Sequence, residues 1–208
     1  MNARLVARVC DVVMLLHDST ARRAGSVQPT SNNRIGGPTP ATRNVISGSR
    51  KVAGSGGEGV SVLESSGNLI QNNFIGTNAS GNAALPNASS GVLISESSNN
   101  MVGGVDTAAL NVVSGNSSSG VLITGGGATF NQILGNYIGT NAAGTAAVPN
   151  TSSGVSITNR ARNNRIGSTV PSAGNIIAFN LTEETVVFTG AAANFTISGT
   201  VADEGGNS

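Results

Sequence analysis

Carboxylates are scarce in this chain, so the two that share a position in its pattern are the first candidates for chemistry. Glu64 and Glu96 each lie four residues after the valine that opens a similar segment, GVSVLE from Gly59 and GVLISE from Gly91. On neighbouring repeats, two such carboxylates could divide acid and base work between them, as glycosidic cleavage requires. The column continues as Gly125, Asn159 and Gly190 with no stacked base beside it, and the plainer reading is a solvated turn. The four aspartates Asp11, Asp18, Asp106 and Asp203 share no column. A calcium site wants about six or more oxygens, several from carboxylates, so no metal site can be assembled and no cofactor is implied. The single histidine, His17, sits beside Asp18 and reads as a solvated residue at the end of a helix.

The second candidate chemistry is aromatic. Phe74 and Tyr137 occupy one column with Val45, Val112 and Ile176, each between an asparagine and an isoleucine or valine. In a short strand that middle residue points outward. The two rings would stand two repeats apart, ~10 Å, about the reach of a disaccharide, and ring faces suit the apolar faces of sugars. The competing reading is that long loops fold back over this stripe and bury it.

These positions are meaningful only because the chain repeats. GTNASGNAALPNASSGVLI from Gly76 returns as GTNAAGTAAVPNTSSGVSI from Gly139, with five differences, and such self-similarity marks a repeat architecture. Aligned on N-x-I, the asparagines fall at Asn33, Asn68, Asn100, Asn131, Asn164 and Asn194. A second column holds Asn44, Asn73, Asn111, Asn136 and Asn175, and five residues further on a third holds Ser49, Asn78, Asn116, Asn141 and Asn180. Each period of roughly 32 residues carries three short segments with apolar residues two apart, the pattern of strands with one inward face. Three such strands cannot enclose a core alone, but stacked neighbours can, each pairing in parallel with its equivalent one rung away. The asparagines would tolerate left-handed corners and hydrogen-bond to their counterparts on the next rung.

Alternate rungs carry their extra residues at different corners. Rungs beginning at Asn33, Asn100 and Asn164 insert GGPTPATR, GGVDTAAL and GSTVPSAG after the first strand. Those beginning at Asn68 and Asn131 insert GTNxxGxxAxPN before the third. The repeating unit is therefore a pair of rungs.

The bulk composition is compatible with this layout and closes other possibilities. Of 208 residues, 10% are charged and 3% aromatic, which excludes a Leu-rich helical core over most of the chain. Net charge is +1 without a basic run, so no nucleic-acid partner is indicated. One cysteine, Cys10, allows no internal disulfide, and no apolar run reaches the ~20 residues of a membrane span. Residues 1–31 form a distinct N-terminal segment. Leu5, Val9, Val12, Val13 and Leu16 fall near one face of a helix, which suggests a capping helix or a misassigned start. A secretory signal fits less well, because Asp11 interrupts the apolar stretch and no small-residue cleavage site follows.

The stretch GVLITGGGATFNQILGNYIGTN resembles the repeat of right-handed parallel β-helix proteins, the pectate-lyase-like superfold, in the form found in large secreted or surface-attached bacterial proteins. The resemblance covers about residues 32–199, and right-handedness is implied by it alone. It does not fix an activity, because that superfold hosts lyases, hydrolases, adhesins and inert stalks. Those lyases use an acidic calcium cluster with an arginine or lysine base, and the hydrolases use several aspartates. This chain matches neither set. The arginines Arg160, Arg162 and Arg165 read as edge charge that discourages strand pairing between molecules.

The expectation is an all-β, right-handed parallel β-helix of five to six rungs, three short strands each, over residues 32–200. A possible N-terminal helical cap precedes it, and residues 201–208 form a tail that reads as a truncated repeat. The expected role is structural or adhesive, in a secreted or cell-surface bacterial protein. Its expected partners are a polysaccharide or cell-surface glycan and further repeats of a longer chain. The alternative is a fragment of a polysaccharide lyase or glycoside hydrolase.

Overall fold

The computed structural model describes residues 31–181 together with the short backbone strands Met14–His17, Val186–Phe188 and Thr196–Ile197. Among these residues there are seventeen strands, β1 to β17 in chain order, of two to four residues each. Every pairing between them is parallel, and each strand pairs with its counterpart one turn away. The molecule is a parallel β-solenoid.

Three sheets run along its length. The first contains β1 (Met14–His17), β4 (Val60–Leu63), β7 (Val92–Ser95), β10 (Val121–Thr124), β13 (Val155–Thr158) and β16 (Val186–Phe188), in that order. The second contains β2 (Arg34–Gly36), β5 (Leu69–Gln71), β8 (Met101–Gly103), β11 (Gln132–Leu134), β14 (Arg165–Ile166) and β17 (Thr196–Ile197). The third contains β3 (Asn44–Ile46), β6 (Asn73–Ile75), β9 (Val112–Val113), β12 (Tyr137–Ile138) and β15 (Ile176–Ile177).

The register is the one that the alternation demands. Ile70 pairs with Val102, Val102 with Ile133, and Ile133 with Ile166, so one apolar column runs through the second sheet. Ile75, Val113, Ile138 and Ile177 form the column of the third sheet, and Val62, Ile94, Ile123 and Ile157 that of the first. All of these side chains are buried in one core. Burying each stabilises the fold by about 1.5–3 kcal/mol. A one-residue slip would turn a whole column out to solvent, so the alternation fixes the pairing.

Two expectations need correction. The described chain holds about four turns rather than five to six, because beyond Leu181 only β16 and β17 are described. The N-terminal helix lies mostly outside the described residues, and where the segment is described, at Met14–His17, it is β-strand paired with β4. The run VVMLLH has the length and β-branching of a strand as readily as of a helix, and the open edge of β4 offers it a full ladder.

The loops alternate as the two-rung reading requires. The insertions after β2, β8 and β14 each contain one 3-10 turn, at Pro40–Thr42, Thr107–Ala109 and Pro171–Ala173. Asp106 caps the second of these through its carboxylate, which accepts from the Ala108 amide at 2.9 Å. The rungs that lack this insertion are gripped between those that carry it. The Asn72 amide donates to Ala109 on one side, and its side chain donates to the Thr39 carbonyl on the other.

Candidate functional site

The interior polar residues form three continuous ladders. In the first, the side-chain amide of Asn33 donates to Asn68 Oδ1 at 3.0 Å, Asn68 to Asn100 at 2.8 Å, Asn100 to Asn131 at 3.0 Å and Asn131 to Asn164 at 3.0 Å. Each receiving oxygen also accepts the backbone N–H of the preceding asparagine. The second Nδ2 hydrogen of Asn100, Asn131 and Asn164 turns back to the main-chain carbonyls of Ser65, Ser97 and Ala128, and that of Asn68 to the Ser65 hydroxyl. A buried amide that fills both donors and both lone pairs carries no desolvation penalty forward. Asn194 lies outside the described residues. The second ladder runs Asn44, Asn73, Asn111, Asn136, Asn175 in the same manner.

The third ladder differs from expectation. Its members are Asn87, Asn116, Asn150 and Asn180, linked at 2.9 Å throughout, and not Asn78 and Asn141. Those two brace the tips of the long loops: Asn78 Oδ1 accepts from Asn82, and Asn141 Oδ1 from Thr145 and Ala146. Counting five residues on from the second column runs into the inserted loop, and the chain rejoins the ladder only at its closing Pro-Asn. The signal was present: Asn87, Asn116 and Asn150 each stand four residues before the glycine that opens the next strand. Ser49 heads this column. Its amide donates to Asn87 Oδ1 at 3.1 Å, while its buried hydroxyl has no partner among the described residues.

The ladder asparagines are also not the left-handed residues. Positive φ falls on the residue before each member of the first ladder: Asn32, Gly67, Asn99, Phe130 and Asn163, at 56° to 72°. The corner turns there, which frees the following asparagine to lie in the extended chain and face its neighbours.

Glu64 and Glu96 are exposed and occupy left-handed turns, at φ 48° and 47°, in line with Gly125 at 95° and Asn159 at 52°. Each amide donates to the next rung, Glu64 to the Ser95 carbonyl and Glu96 to that of Thr124. The Glu96 carboxylate folds over the glycine turn of the following rung and accepts the Gly127 N–H at 2.6 Å. The column is thus a stack of turns, with one carboxylate committed to holding the next turn in place. Among the described residues no group of three or more His, Cys, Asp or Glu is placed to hold a metal ion.

The aromatic column lies under cover. Residues 76–87 and 139–150 form narrow hairpins, with bridges Thr77–Ala84 and Thr140–Ala147. They fold over the third sheet and meet across the rung between them, which has no insertion at this corner, where the Ala142 amide donates to the Gly81 carbonyl at 2.8 Å. Val112 of that rung is fully buried. Phe74 is only 5% exposed. The Arg43 guanidinium lies 4.4 Å from its ring centre, and a Cβ placed on Gly81 would stand 3.1 Å from the ring edge. Tyr137 is half-buried, with Gly144 against its ring in the same way. The Phe74 face therefore meets protein rather than solvent, while the Tyr137 ring keeps part of its surface exposed.

In the sequence Arg160 and Arg162 read only as edge charge, and no column singles out Phe130. The structure places Phe130 exposed on the corner between the first and second sheets, beside the glycine turn that Glu96 holds. Arg162 reaches that same turn from the other side, Nη1 donating to the Gly126 carbonyl at 2.9 Å. No family model matches the chain, and neither a curated protein nor a solved structure matches it.

No helix among the described residues is long and apolar enough to cross a membrane.

Proposed function

We propose that this chain is a structural and adhesive β-helix segment of a secreted or cell-surface bacterial protein, a rigid spacer that carries the same loops at every second rung. One observation carries the reading. Three asparagine ladders run unbroken through the described rungs with their amides bonded from each rung to the next. An architecture in which each rung completes the one before it is extended by adding rungs, and ~4.8 Å of length comes with each. Glycan and cell-surface partners belong to the adhesive part of the proposal and would meet the outer faces of the loops, since the Phe74 ring is covered.

The test is a lengthened protein. Residues 76–138 form one two-rung unit whose ends match, because Gly76 and Gly139 open the same loop. A tandem copy inserted after Ile138 should fold and lengthen the particle by ~10 Å in small-angle scattering. A misfolded product, or a folded one of unchanged maximum dimension, would remove the spacer reading.

A further inference from the structure

Phe130 departs from the other rungs of its own ladder, although Phe179, before Asn180 of the third ladder, shares its left-handed conformation at φ 60°. The first ladder demands a left-handed residue before each asparagine, and other rungs supply Asn32, Gly67, Asn99 and Asn163. These are the residue types that adopt this conformation at least cost, whereas a bulky aromatic there is an outlier. Phe130 holds φ 56° and remains 57% exposed, so burial in the core does not offset its strain. A strained residue that the fold does not need is a reason to look for a contact made outside it.

The surroundings of Phe130 suggest what makes that contact. Glu96 stands on the preceding rung and Arg162 on the following one, both exposed and both anchored to the turn 125–127 that lies between them. Arg160, also exposed, adds a second positive charge on the Arg162 side. From residue 107 to residue 181 the only charged side chains are Arg160, Arg162 and Arg165. Two of these three lie at this corner, together with Glu96 of the preceding rung. Negative, aromatic and positive groups thus lie on three successive rungs, ~4.8 Å apart along the axis, at neighbouring positions of the corner rather than in one column: Glu96 is in line with Gly125, and Arg162 pairs with Thr129 beside Phe130.

Such an order is its own complement when reversed. We infer that the corner formed by Glu96, Phe130, Arg160 and Arg162 is a self-association surface, on which a second copy of this chain docks antiparallel about a two-fold axis near Phe130. The axis sets ring against ring and each Glu96 against the partner's arginines, an isologous contact in which every interaction occurs twice. Glu96 keeps acceptor capacity after binding the Gly127 amide, and Arg162 keeps donors after binding Gly126. A corner contact is smaller than the ~800 Å² per partner of a standard stable interface, so the association is weak, reversible and weakened by salt.

Sedimentation equilibrium and thermal melting of the full chain test this. The wild type should self-associate at low salt. Phe130→Asn should weaken association about tenfold, as loss of a central aromatic anchor does, while raising the melting temperature because the strain is gone. Glu96→Arg alone and Arg162→Glu alone should each remain monomeric, since each variant opposes like charges at both contacts. Mixed together, they should associate again, because every contact in the mixed dimer is once more Glu against Arg. A wild type that stays monomeric at its highest soluble concentration would overturn the inference. So would a mixture no better than its components. Glycan retention that is lost in Phe130→Asn without any change in sedimentation would reassign the corner to a sugar.

Discussion

Asn131 shows how much a single side chain holds in this architecture. Its Oδ1 accepts both the backbone N–H and the side-chain amide of Asn100, and its Nδ2 donates to Ser97 and to Asn164. Replacement by Ala strands two buried donors of Asn100 and removes a donor from two acceptors. At ~1–3 kcal/mol for each unsatisfied buried group, Asn131→Ala should lose about 3 kcal/mol or more in urea unfolding. Asn141, which braces an exposed loop tip, should lose about 1 kcal/mol on the same change. Equal losses would mean that the ladder is only a row of independent turns. Most of the ladder could be read from the sequence, because an asparagine recurring at one offset has no explanation in turn propensity alone. Asn87 and Asn150 were missed because the inserted loop breaks the count. The left-handed position is not legible to the residue, because Asn is common at positive φ and the corner residue and the ladder asparagine are adjacent in the chain.

The elements follow from alternation, and what escaped it is what crosses between them. Parallel registry, the inward columns and the alternation of loop types were all legible, since they depend on residue spacing within a rung. Whether the loops 76–87 and 139–150 lie over the third sheet was not, because small residues such as Gly81 and Ala142 advertise no contact until their neighbours are known. Phe74 decides the matter experimentally. With the ring nearly enclosed by Arg43, Gly81 and the sheet, Phe74→Ala should cost about 3–5 kcal/mol and lower the urea midpoint accordingly. A loss below about 1 kcal/mol would mean that the loop stands open in solution. The N-terminal segment shows the limit of periodicity. Apolar residues in VVMLLH satisfy a helical face and a strand equally, and the deciding influence is β4, some 45 residues further along, paired as Met14 to Val60 through His17 to Leu63.

At the scale of the molecule, stability should be graded along the axis. Each strand pairs only with its neighbours, and contacts that skip a rung are confined to the loops, as between Ala142 and Gly81, so a rung's free energy is to first order the sum of its own term and two interfaces. The rungs around Ile123, Ile133 and Ile138 have a described partner on both sides. Among the described strands, Ile46 in β3 lies at one edge of the third sheet and Ile177 in β15 at the other. Opening an edge strand breaks one ladder, whereas opening a central one breaks two, together with the asparagine bonds that run beside them. Native-state hydrogen exchange should therefore find the amides of β10, β11 and β12 slowest, and those of β3 and β15 faster by the cost of one interface. Local openings of this kind span the range from nearly free to the global unfolding energy. Asn131→Ala sharpens the expectation, because it weakens both interfaces of a central rung and should flatten the gradient from the middle outward. A wild-type profile that is already flat, with edge and centre exchanging together, would show that the rungs unfold as one unit and that the additive picture is wrong.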